Sequence, residues 1–220
     1  MINKKEQIRA VKIFNILGKE YPAVRPALEY TSAFELLIST ILSAQCTDAR
    51  VNIVTQTLFK KYKKPQDYIA VPVRELEKDI FSTGFYRQKA KSIKRCCKEL
   101  IEKYNGEVPS DFNELIKLSG VGRKTASVVA GNAFGIPSIA VDTHVKRLSN
   151  LLGFCNSSNP EKIESQLKTL LPENYWINSS HWLATHGRLI CIAHRPKCYA
   201  CAIFRLCPSY NPNIRKRAEK

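Results

Sequence analysis

Apolar residues return every third or fourth position along almost the whole chain, as in "IRAVKIFNIL" at 8–17 and "AKSIKRCCKELI" at 90–101. That spacing gathers them on one face of an α-helix. No segment alternates apolar and polar residues for long enough to specify a strand, so the fold class expected is all-α. The pattern predicts helices over 4–17, 32–44, 48–62, 73–80, 87–104, 111–118, 124–134, 142–153, 160–171 and 179–188. Gly18 reads as the stop of the first helix, and Pro22 and Pro26 mark the crossing that follows. Gly84, Gly106, Gly135 and Gly153 read as further stops, and the final "NIRKRAEK" as a frayed, solvated basic end.

At 220 residues the chain can bury a core of its own, in one large domain or two small ones. Charge changes the picture more than size does. Lysine and arginine number 35 against 19 aspartates and glutamates, a formal net charge of +16, which draws the chain to polyanions. Nucleic acid is the first candidate partner and an anionic membrane surface the second. No apolar run reaches the roughly 18 residues of a membrane span, and the N-terminus carries charge where a signal peptide would be apolar. The cytoplasm is therefore the expected compartment, and there thiols stay reduced.

In that setting eight cysteines point to metal binding or burial. Four of them crowd into "CIAHRPKCYACAIFRLC" at 191–207, where an even scatter would put roughly 0.6 in any window of that length. Cys191, Cys198, Cys201 and Cys207 follow the spacing C-x6-C-x2-C-x5-C and read as one metal-binding set. Zinc and an iron–sulfur cluster both fit four thiolates so spaced. Cys46, Cys96, Cys97 and Cys155 are scattered and read as small buried apolar residues.

The segment "DFNELIKLSGVGRKTASVVAGNAFG" at 111–135 has the outline of a helix, a tight turn and a second helix. Asp111, with Glu114 three residues on, can cap the first. Gly120 and Gly122 flank Val121 and let the backbone turn and approach a ligand. Their N–H groups, with the free donors that open the second helix, would form an anion nest aimed at a phosphate, backed by Arg123 and Lys124. Lys124 falls in the first turn of the second helix, where the positive end of the dipole disfavours an ammonium ion. That condition suits a nucleophilic amine, although a solvated lysine touching phosphate also fits.

Downstream, "IPSIAVDTHVKRLSNLLG" places Asp142 at the N-cap of another helix, a position that favours a carboxylate. His144 beside it reads as a packing or hydrogen-bonding residue. The helix that starts at Lys124 rises about 14 Å, and the six or seven residues that follow it can cover roughly 20 Å in return. Lys124 and Asp142 can thus face one cleft.

"LSGVGRKTA" at 118–126, "VDTHV" at 141–145 and the four-cysteine spacing together resemble the endonuclease III family, helix-hairpin-helix DNA glycosylases with AP-lyase activity. "LLISTILSAQCTD" at 36–48, "GFYRQKA" at 84–90 and "HWLATHGRLIC" at 181–191 extend the resemblance over nearly the whole chain. It implies a two-lobed fold: a six-helix domain at 26–136 carrying the hairpin, and a second domain made of 1–25 with 137–220 that carries a C-terminal cluster loop. It implies a [4Fe–4S] cluster on Cys191, Cys198, Cys201 and Cys207, pinning a loop that presents Arg195 and Lys197 to the DNA backbone.

By the same resemblance Lys124 attacks C1′ of an extruded, oxidised pyrimidine nucleotide and forms a Schiff base, while Asp142 assists its deprotonation or stabilises charge on the sugar. Gln45 would fill the gap in the duplex, and Phe85 would wedge into the stack. The substrate implied is double-stranded DNA with damaged bases or abasic sites, acted on by a monomer in the cytoplasm, at the nucleoid in a bacterium. Two residues depart from the family pattern: Phe85 stands where a smaller aliphatic residue is common, and Ser119 where a proline is. An adenine-removing glycosylase of the same superfamily and a non-catalytic, metal-stapled DNA-binding module are the rivals. Strand cleavage that depends on Lys124 separates them.

Overall fold

The computed structural model describes residues 3–24 and 26–211, and every regular element among them is helical. Two compact units form: one spans Pro26–Ile136, and the other joins the segment before it to the segment from Pro137 onward. Helix α1 (Lys4–Glu20) starts where the Asn3 side chain accepts the Lys5 N–H at 3.0 Å. It does not stop at Gly18, as the sequence suggested. That glycine serves packing, because a Cβ there would stand 3.0 Å from Cζ2 of the Trp182 indole.

The unit spanning Pro26–Ile136 contains α2 (Ala33–Leu42), α3 (Asp48–Lys61), α4 (Pro65–Ala70), α5 (Val73–Asp79), α6 (Tyr86–Tyr104), α7 (Phe112–Leu115) and α8 (Arg123–Phe134). Ser32 caps α2 by accepting the Glu35 N–H at 3.1 Å, and every residue from Leu36 to Leu42 is buried. A helix buried on all sides belongs at the centre of a core, and α3, α6 and α8 pack around it. The apolar face of α6 supplies Ile93, Cys96, Cys97 and Leu100 to the same core. Leu37→Ala at its centre would cost roughly 2–5 kcal/mol.

Seven helices stand where six were expected. The additional one, α4, has only six residues, too few to display a period, and Pro65 opens it at a position where a missing N–H is harmless. Asp67 reaches back to accept the N–H groups of Lys63 and Lys64 at 2.8 and 3.1 Å, which fixes the entry of the chain. At the far end Lys94 Nζ of α6 donates to the carbonyls of Tyr68 and Ile69 at 2.8 and 3.0 Å, a cation placed against the negative end of the helix dipole.

In the other unit α1 packs with α9 (Thr143–Leu151), α10 (Pro160–Leu170) and α11 (Trp176–Leu189) around Phe14, Leu17, Leu148, Ile163 and Leu183. Phe14 stacks on Phe154 with ring centroids 5.8 Å apart. Beyond α11 the described residues form only two short 3-10 turns, Cys198–Ala200 and Phe204–Leu206. Cys96, Cys97 and Cys155 are buried as expected, and burial pushes the Cys96 thiol up to about 12. Cys46 departs from that expectation and is only partly buried. Among the described residues no helix is long and apolar enough to cross a membrane. The basic "NIRKRAEK" end lies outside the described residues.

Candidate functional site

The hairpin is built from α7, a turn and α8. Asp111 caps α7 by accepting the N–H groups of Asn113 and Glu114 at 2.7 and 3.0 Å, and α7 closes after one turn rather than running to residue 118. Glu114 accepts from Tyr104 Oη at 2.7 Å and from Lys117 Nζ at 2.6 Å. Those two partners hold its carboxyl below the usual carboxylate range. The Val121 N–H donates to the Leu118 carbonyl at 3.0 Å, and the Val121 side chain is buried. Val121 therefore anchors the turn from below, and its N–H is spent inside the turn.

The two glycines have different reasons to be glycine. Gly120 has φ +82°, and a Cβ there would lie 2.9 Å from Cβ of Ser92 on α6. Both the left-handed backbone and the close approach exclude a side chain. Gly122 has φ −92° and ψ 175° with nothing within 4 Å of a Cβ position. Its missing side chain leaves the outer face of the backbone open. Ser119, where the family commonly has proline, uses the N–H a proline lacks: its N and Oγ each donate to the Glu99 carboxylate at 2.7 Å.

Arg123 opens α8 with its guanidinium carbon 5.0 Å from the Phe112 ring centroid, a cation–π contact that ties the second helix back to the first. Lys124 follows, exposed in the first turn. No hydrogen bond or ion pair to another described residue engages it. Helix geometry leaves the first N–H groups of α8 without intrahelical acceptors, so Gly122 and the start of α8 can receive an anion.

Gln45 and Phe85 sit on two connections of the same unit. Gln45 is exposed, beyond the end of α2, at φ +53°. Phe85 caps α6 at φ +48° and is 64% exposed. Both residues stand out from the surface on a backbone that side chains disfavour.

In the other unit Asp142 caps α9, its Oδ1 accepting the Val145 N–H at 2.7 Å. His181 on α11 lies close enough to feel that carboxylate, although burial is the larger influence and pulls the imidazole below its ordinary value. Lys124 and Asp142 belong to different units.

Cys191, Cys198, Cys201 and Cys207 all line one cavity of about 110 Å³, together with Leu148 and Ile203. Burial raises the Cys191 and Cys207 thiols and pushes Cys201 up to about 11, with its three neighbouring cysteines adding to the rise. Four thiolates in one pocket need a compensating cation, and a bound metal would supply it. Among the described residues no three His, Cys, Asp or Glu side chains are gathered so as to hold a metal ion.

Arg147 of α9 places Nη1 3.7 Å from Cys191 Sγ, and His186 of α11 places Nε2 3.5 Å from Cys201 Sγ. The other nitrogen of His186 meets Tyr21 Oη at 3.0 Å, and burial lowers its pKa to about 4. Arg195 and Lys197 are exposed, and the Lys197 N–H donates to the Ile190 carbonyl at 2.8 Å, closing the loop that carries Arg195. Glu99, Arg147, His186 and Tyr21 were not legible as site residues. Each stands in an ordinary helical pattern or beside one, and only long-range packing gives it a partner.

Residues 38–173 match the HhH-GPD superfamily of base excision DNA repair proteins. Over 192 residues, 87% of this chain and 88% of the relative, the sequence is 50% identical to endonuclease III of Bacillus subtilis. A solved structure of a trapped endonuclease III–DNA covalent intermediate, an estranged-adenine complex, is similar at TM-score 0.89 and 46% identity over 99% of this chain and 100% of that one. A non-covalent endonuclease III–DNA complex is similar at TM-score 0.88 and 48% identity over 100% of both chains.

Proposed function

This chain belongs to the HhH-GPD superfamily of base excision DNA repair proteins and, within it, to the endonuclease III family of DNA glycosylases with AP-lyase activity, and we propose that Lys124 and Asp142 carry its chemistry on duplex DNA containing an oxidised pyrimidine or an abasic site. The observation that carries this reading is Lys124 itself: an exposed amine in the first turn of α8, next to a turn whose open backbone face can receive a phosphate. Binding of the backbone there would bring C1′ of an extruded nucleotide to the amine. Lys124 Nζ attacks C1′ and the base leaves with the glycosidic electron pair. The C1′–O4′ bond then breaks to open the sugar ring and form the Schiff base, which acidifies the neighbouring C2′ proton, and removal of that proton expels the 3′ phosphate with the C3′–O bond electrons.

The carboxylate of Asp142 takes the proton from Lys124 or offsets positive charge developing on the sugar. Gly120, Gly122 and Arg123 hold the backbone around the lesion, Gln45 occupies the space the nucleotide leaves, and Phe85 separates the flanking bases. The four cysteines would hold a [4Fe–4S] cluster. They line one cavity, and four thiolates are the ligand set such a cluster takes. Bound there, the cluster would neutralise the thiolates and tie the loop that offers Arg195 and Lys197 to DNA phosphates. The protein would act as a monomer in the cytoplasm.

Borohydride reduction during turnover of a duplex with an oxidised pyrimidine tests the central claim. Wild type should be trapped as a protein–DNA adduct on Lys124. Lys124→Gln should bind the duplex within about threefold of wild type, since one cation among many is lost, yet give no adduct. Trapping and cleavage at the wild-type level in Lys124→Gln would identify another nucleophile.

A further inference from the structure

Lys89 lies near the N-terminus of α6 and is only 5% exposed, a burial that lysine rarely tolerates unless its donors are met. Its Nζ donates to the Leu42 carbonyl at 2.7 Å and to the Thr83 carbonyl at 2.8 Å. Each carbonyl closes an element: Leu42 is the last residue of α2, and Thr83 the last of the 3-10 turn Phe81–Thr83. Three residues beyond Leu42 stands Gln45, and two beyond Thr83 stands Phe85. These are two of the four non-glycine residues with positive φ among the described residues, and such a backbone persists only where its surroundings impose it.

We infer that Lys89 is a positioning residue that ties the ends of α2 and of the Phe81–Thr83 turn to one point, so that Gln45 and Phe85 are presented to the duplex as a pair. The inference rests on the reading of those two residues given above. An apolar side chain of the same length would fill the space without the desolvation penalty of a buried charge. What it could not do is hold two carbonyls from different connections at a common distance. Burial lowers the Lys89 pKa, with Cys46 opposing, and the two carbonyl acceptors favour the protonated form that makes the tie. Lys94 on the same helix offers the contrast, because the carbonyls it holds end α4, which carries neither of the two residues.

The test compares two substrates of the full-length, cluster-containing protein. An abasic site in duplex DNA requires the gap to be filled and the stack opened, whereas an abasic site in a single strand requires neither. Lys89→Met is expected to slow duplex cleavage by at least about tenfold, the order of effect of unpairing buried carbonyls, and to leave single-strand cleavage within about twofold. In a Gln45→Ala, Phe85→Ala background it should cause no further loss on duplex, because it acts through those residues. Lys89→Gln is shorter and uncharged but keeps a polar amide, and it should show the same split if Lys89→Met does not fold, and Lys94→Met should show none. An equal loss on both substrates, a full additional loss in the doubly substituted background, or the same split in Lys94→Met would overturn the proposal. Wild-type protein that cleaves neither substrate would instead refute the enzymatic reading.

Discussion

The hairpin and the cysteine loop would both offer an exposed backbone and cations to DNA, but they are held in opposite ways. The hairpin is completed by the chain alone: Val121 is buried, Gly120 abuts Ser92, Ser119 is fixed to Glu99, and Arg123 lies over Phe112. The loop at 191–207 has two short turns and few buried side chains, and the thiols it turns inward surround a cavity. A segment with its own apolar anchor can be rigid without a ligand. One whose inward side chains are four thiols needs a cation to become so.

The contrast can be broken most severely at the cysteines. Under the proposed cluster assignment, Cys201→Ala should abolish iron binding and destabilise its unit by roughly 4 kcal/mol or more, as loss of a metal staple does. Amide hydrogen exchange should report lost protection at 191–211 with 112–134 unchanged. Equal loss in both segments would mean that the hairpin also depends on the cluster.

Within the hairpin, Gly120→Val forces a β-branched residue to φ +82° against Ser92 and should cost about 2–3 kcal/mol by thermal or denaturant unfolding. Gly122→Ala meets open space at an ordinary φ and should change stability by less than about 0.5 kcal/mol. It should still weaken duplex binding by a similar factor for every sequence tried, because it hinders phosphate approach and not base reading. A destabilisation as large as that of Gly120→Val would show that Gly122 serves the fold and not the ligand.

The smallest effect concerns pH. Lys117 and Tyr104 depress the Glu114 pKa in the folded state, so the stabilisation they give is present above the ordinary carboxylate value and is lost as pH falls through the depressed one. Glu114→Gln should flatten that acid-side slope and shift the melting temperature near neutral pH by no more than about 2 °C. An unchanged acid slope would place the titration elsewhere.

Much of this was legible in the sequence where physics is local. Apolar spacing gave ten of the eleven α-helices among the described residues, with ends off by a few residues, and Asp111 and Asp142 were recognisable as caps because capping depends on residues three positions apart. The hairpin was recognisable for the same reason. The failures have physical causes too. Helix α4 was too short to show a period, Gly18 mimicked a stop while serving the Trp182 ring, and Cys46 stayed half-exposed because it follows the end of α2.

By itself the sequence determined the all-helical class, which follows from periodicity, and the attraction to polyanions, which follows from charge, while its motifs resembled those of the family that the comparisons show. Only the tertiary structure decided that Val121 anchors the turn and Gly122 opens it, that Ser119 is locked to Glu99 across 20 residues, and that Lys89 joins the ends of two distant elements. The reason is the same in each case. A side chain's partner is set by where the packed core brings distant backbone together, and no spacing along the chain encodes that meeting directly.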